Sequence, residues 1–207
     1  MGFIYSHGRD KKFRPTIILD SSVFEALRKQ KPELFNVDTI CTACQFLMQY
    51  IKKHMFLPGR IEHWVVINNL NKLSFGKLPK NEMKKAFDML QNNYMYVLGK
   101  TWGVNCTAMQ NFLWKVFEVF LDRETAEKMS FHQTNAPDSL VNNFHPSQLE
   151  KRFGGQAETP KIFWPPVIPT QQFRFEEDQE KDLVSWEENE KIIEEHPLLP
   201  KPPADLL

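Results

Sequence analysis

Asn105-Cys106-Thr107, an amphipathic stretch running into Phe120-Leu121-Asp122-Arg123-Glu124-Thr125-Ala126-Glu127-Lys128, and finally Pro146-Ser147-Gln148-Leu149-Glu150-Lys151-Arg152-Phe153-Gly154-Gly155 form the run that decides the fold. Between its first two landmarks, Met109, Phe112, Leu113, Val116, Phe117 and Phe120 recur at spacings of one, three and four. That period predicts a helix over Ala108 to Leu121 with these residues on the inside. Met129 to His132 and Thr101 to Asn105 have the length and composition of strands on either side of it.

The same alternation extends toward the N-terminus. Gly8 to Lys12 is turn material, and Pro15 to Leu19 is a β-branched run that reads as a strand. Asp20, Ser21 or Ser22 caps a short helix through Leu27, and Asp38 caps a stronger one. Ile40, Cys44, Leu47, Ile51 and Met55 form a single apolar stripe on that helix, which Pro58-Gly59 stops. Trp64 to Ile67 is a second buried strand. Pro79 and Asn81 open another helix, with Met83, Phe87, Leu90 and Tyr94 on its buried face. Strands alternating with helices of ten or more residues predict an α/β fold, a mostly parallel sheet flanked by helices.

The order of short motifs resembles a CRAL-TRIO domain, the fold of phosphatidylinositol transfer proteins and of tocopherol- and retinal-binding proteins. Gly8-Arg9-Asp10-Lys11-Lys12-Phe13-Arg14-Pro15 is similar to the family's Gly-x-Asp-x-x-Gly-Arg-Pro turn, with Phe13 at the second Gly. Trp64 to Asn71 resembles the strand ending in Asp-x-x-Gly, with Asn68 for the Asp and Asn71 for the Gly. Gln91-Asn92-Asn93-Tyr94 resembles the Gln-Asp-x-Tyr that ends the next helix. Asn105 is what remains of Asn-Ala-Pro, and Leu149, Phe153, Gly154 and Gly155 keep the closing Leu-x-x-x-(Tyr/Phe)-Gly-Gly.

The resemblance implies an apolar cavity floored by the sheet and closed by a helix, holding one lipid. Phe112, Val116, Phe117, Phe120 and Phe131 are then the cavity candidates, against the reading that they pack a filled core. Two features depart from the family. The helical lobe that precedes the domain has no counterpart in the few residues before Gly8. The basic residue that phosphoinositide binders carry about a dozen positions before the double Gly falls at Asn142.

Charge divides the chain. Residues 1–159 carry 21 Lys and Arg against 15 Asp and Glu, while residues 160–207 carry 5 against 11, so a formal net charge of zero hides a basic body and an acidic tail. Eight of the 14 prolines lie from Pro160 onward, which predicts an extended, Pro-rich tail with one acidic helix over Glu176 to Glu195. Phe163, Trp164, Pro165, Pro166 and Trp186 are candidate anchors for a partner protein. Their alternative is packing back on the parent domain.

Other chemistries find no support. Basic residues do not cluster among aromatics, so nucleic acid is not an expected partner. Gly2 followed by Ser6 has only an outward likeness to a myristoylation signal. No apolar run approaches a membrane span, so the expected protein is soluble and cytoplasmic, with peripheral membrane contact at most. Three cysteines suit a reducing compartment. Cys41 and Cys44, three apart on a helix, read as core thiols, since a structural zinc needs four ligands and no second pair or His cluster is present. His132 reads as a satisfied strand-end histidine. No nucleophile elbow, P-loop or dinucleotide loop occurs, so no enzyme, metal or cofactor is expected beyond a bound lipid.

Two readings of function follow. In the first, a CRAL-TRIO-like domain over residues 1–159, with a tail over 160–207, acts as a structural subunit of a large assembly, cytoskeletal or ciliary, using the tail as a strap. In the second, the chain binds or transfers a small lipid.

Overall fold

The computed structural model describes residues 2–34, 36–56, 58–73, 80–110 and 123–166. Five strands, β1 (Ile4–Arg9), β2 (Pro15–Asp20), β3 (Trp64–Asn69), β4 (Leu98–Val104) and β5 (Met129–Phe131), form one sheet in the order β1-β2-β3-β4-β5. β1 runs antiparallel to β2, and every other pair is parallel. The α/β architecture is therefore the expected one, with an antiparallel edge strand added. Ile4-Tyr5-Ser6-His7-Gly8-Arg9 carries no apolar alternation to betray it. Both of its faces are covered, and its polar groups are bonded rather than solvated: Ser6 Oγ donates to the Thr16 carbonyl, and Arg9 donates to the carbonyls of Phe13 and Met55.

Among the described residues the longer helices are α1 (Ser21–Gln30), α2 (Val37–His54) and α3 (Lys80–Tyr94), followed by the short α4 (Arg123–Glu127) and α5 (Asp138–Val141). The Asp20 carboxylate accepts from the amides of Ser22 and Val23 and so caps α1, as expected. For α2 the cap is Asn36, which accepts from the Thr39 amide, and Asp38 sits inside the first turn instead. There its charge favours the helix N-terminus without satisfying a capping amide. Residues 108–110 begin a helix under a reciprocal box. Thr107 Oγ1 accepts from the Gln110 amide at 3.2 Å, and Gln110 Oε1 accepts from the Thr107 amide at 2.8 Å. Met109 does not face inward as expected; it is 73% exposed. The rest of that predicted helix lies outside the described residues.

Strand alternation builds two cores. Ile4, Ile17, Trp64 and Val66 meet Leu47, Met48 and Ile51 of α2 and Tyr94 of α3 on one face. Tyr5, Ile18, Val65, Ile67, Trp102 and Val104 meet Leu140, Phe144, Leu149 and Phe153 on the other. The closing segment around Leu149 to Gly155 is thus a wall of the second core. The thiols of Cys41 and Cys44 lie on or beside the α2 core face, and burial pushes Cys44 up to about 12.

Among the described residues, three other than glycine hold left-handed backbone: Phe13 (φ 58), Lys72 (φ 63) and Asn105 (φ 57). Phe13 is the position where the resembling family prefers Gly. Lys72 corrects the register assigned to the Asp-x-x-Gly turn. The left-handed site is Lys72 rather than Asn71, and the buried strand-end amide is Asn69 rather than Asn68. A left-handed backbone costs a residue with a Cβ about 1–2 kcal/mol. Lys72 is exposed, so Lys72→Gly should stabilise the protein by about 0.5–1 kcal/mol, read as a higher urea midpoint at unchanged slope.

Candidate functional site

The carboxyl ends of parallel strands, where α/β sheets usually bind ligands, here carry a continuous polar chain. Asn105, just past β4, donates to Asn69 Oδ1 at 2.8 Å, and Asn69 donates on to Asp20 Oδ2 at 3.4 Å. Arg152 closes the chain from the far side, donating through Nη1 to the same Asp20 oxygen and through Nη2 to the Tyr5 hydroxyl at 2.5 Å. Three strand ends, the edge strand and the closing segment are joined by side chains alone.

Glu150 is the hub. Its Oε1 accepts from the Tyr5 hydroxyl at 2.9 Å and pairs with His7 Nδ1 at 3.1 Å. Its Oε2 accepts from Arg152 Nε at 2.7 Å and from Thr159 Oγ1 at 2.7 Å. The residue is 1% exposed. Burial pushes its carboxyl up, but the bonds from His7 and Thr159 with the Arg152 charge more than reverse this and leave it below the usual range. Asp20 behaves alike, with burial outweighed by bonds from Ser22 and Arg152. Burial and the Glu150 charge push the Tyr5 hydroxyl up, so it stays protonated and donates. Two carboxylates face one guanidinium and one imidazole, and every oxygen has a partner. Such a set holds a segment in place rather than reacting.

Nearby, Gln110 Nε2 donates to the carbonyls of Leu70 and Leu73, fixing the turn after β3 to the start of the next helix. His132 is satisfied as expected, with Ser130 and Ser139 hydroxyls both 3.2 Å from Nε2, and burial lowers its pKa. Sequence reasoning had read Asp20 only as a cap and Glu150 and Arg152 only as spacers. The one available signal was two charged residues set inside a buried apolar motif.

Of the cavity candidates, Phe112, Val116, Phe117 and Phe120 lie outside the described residues. Phe131 is half-buried on β5, on the sheet face that carries α1 to α3, and its ring lies over Gly103 so closely that a Cβ there would overlap it. The tail candidates divide likewise. Phe163 packs at a tilt on Tyr5 with ring centres 4.7 Å apart, and lies so near Gly2 that a Cβ there would overlap its ring. Trp164 rests on Phe46 and Tyr50 of α2 at 4.8 and 4.6 Å. Pro165 is exposed and Pro166 buried. These two aromatics pack on their own domain; Trp186 lies outside the described residues.

A sheet sealed by a Leu-x-x-x-Phe-Gly-Gly segment, with left-handed backbone at Phe13 within the first motif, at Lys72 just past the second and at Asn105, agrees with the family comparison: the model described as CRAL/TRIO domain matches residues 1–155. The chain belongs to the CRAL/TRIO domain family. A solved structure titled "Crystal structure of Sfh5" superimposes with a TM-score of 0.60 and 16% identity, over 76% of this chain and 55% of that one. At that identity the likeness speaks for the fold, and this chain spans about half the length of that solved chain. No curated protein matches. Among the described residues of this CRAL/TRIO protein, no helix is long and apolar enough to cross a membrane.

Proposed function

We propose that this chain is a non-enzymatic binding protein whose CRAL/TRIO domain holds one lipophilic molecule. The family match over residues 1–155 carries the reading, because CRAL/TRIO domains bind lipophilic ligands. Each CH₂ of an acyl chain taken out of water yields about 0.8 kcal/mol, a contribution that needs no headgroup contact. That suits a domain with Asn142 at the position where phosphoinositide binders place a base. Native mass spectrometry of the folded full chain should show one lipid-sized adduct, released on denaturation. A folded sample that carries none, and takes up none from mixed-lipid vesicles, overturns the reading.

A second reading makes the domain a structural subunit of a large cytoskeletal or ciliary assembly, contacting protein partners through its tail. Supporting it is the exposed aromatic surface where Trp164 meets α2, since large exposed rings commonly mark contact surfaces. Strong association of the purified chain with polymerised tubulin or actin, at physiological salt, would favour it.

A further inference from the structure

Helix α2 presents two faces. Leu47, Met48 and Ile51 enter the core, while Phe46, Tyr50 and His54 form a second stripe at intervals of four. Tyr50 packs at a tilt against His54 with ring centres 4.5 Å apart, and Trp164 lies across Phe46 and Tyr50. The result is an aromatic ledge that stays open: Phe46 is 60%, Trp164 42% and neighbouring Ile162 69% exposed. Lys53 follows Tyr50 by one turn, and Lys161 stands three residues before Trp164. Both are exposed, and neither joins an ion pair among the described residues. Glu158, close to Lys161 in sequence, is taken by Lys151.

We propose that this ledge seats the chain's own acidic segment, Glu176 to Glu195. The described chain ends at Pro166, two residues past the ring on the ledge, so the remaining chain starts there. Nine residues separate Pro166 from Glu176, a reach of up to about 30 Å, against a ledge of about 12 Å along α2. Glu176 to Glu195 holds ten Asp and Glu against two Lys, with Leu183, Trp186, Ile192 and Ile193 among them. The apolar members fit the open ring faces, and the carboxylates meet the two unpaired ammonium groups. Tethering makes the contact intramolecular, at an effective concentration near millimolar. An anionic bilayer would meet the same ledge only by displacing this segment. The inference does not depend on a lipid ligand.

Carbodiimide coupling of the full chain, followed by peptide mass spectrometry on a mixture of ¹⁴N and ¹⁵N protein, tests it. The expected result is same-isotope links from Lys53 and Lys161 to carboxylates of 176–195. Raising salt from roughly 0.05 M to roughly 1 M, where screening shortens to about 3 Å, should reduce them at least about fivefold. Phe46→Ser, which leaves both lysines and changes an exposed ring, should reduce the Lys53 links severalfold at low salt. Mixed-isotope links would assign the ledge to a second copy. Links spread over other lysines, or none while vesicles of anionic lipid protect the ledge, would equally overturn the proposal.

Discussion

Glu150→Ala should lower the stability of this protein by about 3 kcal/mol, and its melting temperature by about 10 °C. The carboxylate is 1% exposed and accepts from Tyr5, Arg152 and Thr159 while pairing with His7. Its removal strands a buried phenol and half of a guanidinium fork. The figure sits at the low end for a broken buried pair because the Arg152 side chain is 31% exposed and water can recover part of its solvation. The same network predicts acid sensitivity. Asp20 and Glu150 both have folded pKa values below the ordinary carboxylate range. Their stabilisation is therefore complete above that range and disappears as pH falls through the depressed folded values. Glu150→Gln should flatten the lower part of the stability-against-pH curve. A variant melting within a degree of the parent, with an unchanged acid limb, would show that the network does not hold the closing segment.

Gly8→Ala should cost more, about 4 kcal/mol, although it adds one methyl group. Gly8 has φ 73, and a Cβ there would overlap the Gln148 carbonyl oxygen. The obstacle is backbone, so relief requires moving the segment that carries Leu149, Glu150 and Phe153 into the second core. Gly59 provides the control. Its φ is 75, yet nothing lies within 4 Å of its Cβ position, so Gly59→Ala should lose only the strain of a left-handed residue, about 1 kcal/mol. Urea midpoints at equal slope compare the two directly. Equal losses would mean that conformation alone, not closure of the chain ends, demands glycine at Gly8.

How much could be read in advance differs by element. β2 and β3 were legible because parallel strands buried on both faces read as apolar runs, as Val65, Val66 and Ile67 do, while β4 and β5 showed through strand length and their place between helical segments. β1 was not, since its burial depends on Gln148 and Glu150, more than a hundred residues away, satisfying its polar groups. Asn36 was passed over as a cap because Asp38, equally suitable chemically, stands two residues later. The strand-end turn was placed one residue early because neither Asn71 nor Lys72 is glycine, leaving no local mark of the left-handed position. Phe163 and Trp164 could have served a partner or their own domain equally well by composition. Only the tertiary structure shows that Phe163 meets Tyr5 and that Trp164, still partly exposed, meets Phe46 and Tyr50.

By itself, then, the sequence determined the α/β class, the family's motif order from Gly8 to Gly155 and the partition of charge between body and tail. Each of these is written in local periodicity, turn chemistry or simple counts. The tertiary structure alone decided that Asp20, Asn69, Asn105, Glu150 and Arg152 form one polar chain across the strand ends. It alone decided that Gly8 must be glycine for the sake of Gln148, and that α2 keeps an aromatic ledge open beside the departing chain. The reason is physical. Pairing between residues far apart in the chain leaves no periodic trace along it, and a buried charge looks like a solvated one until its partners are in place.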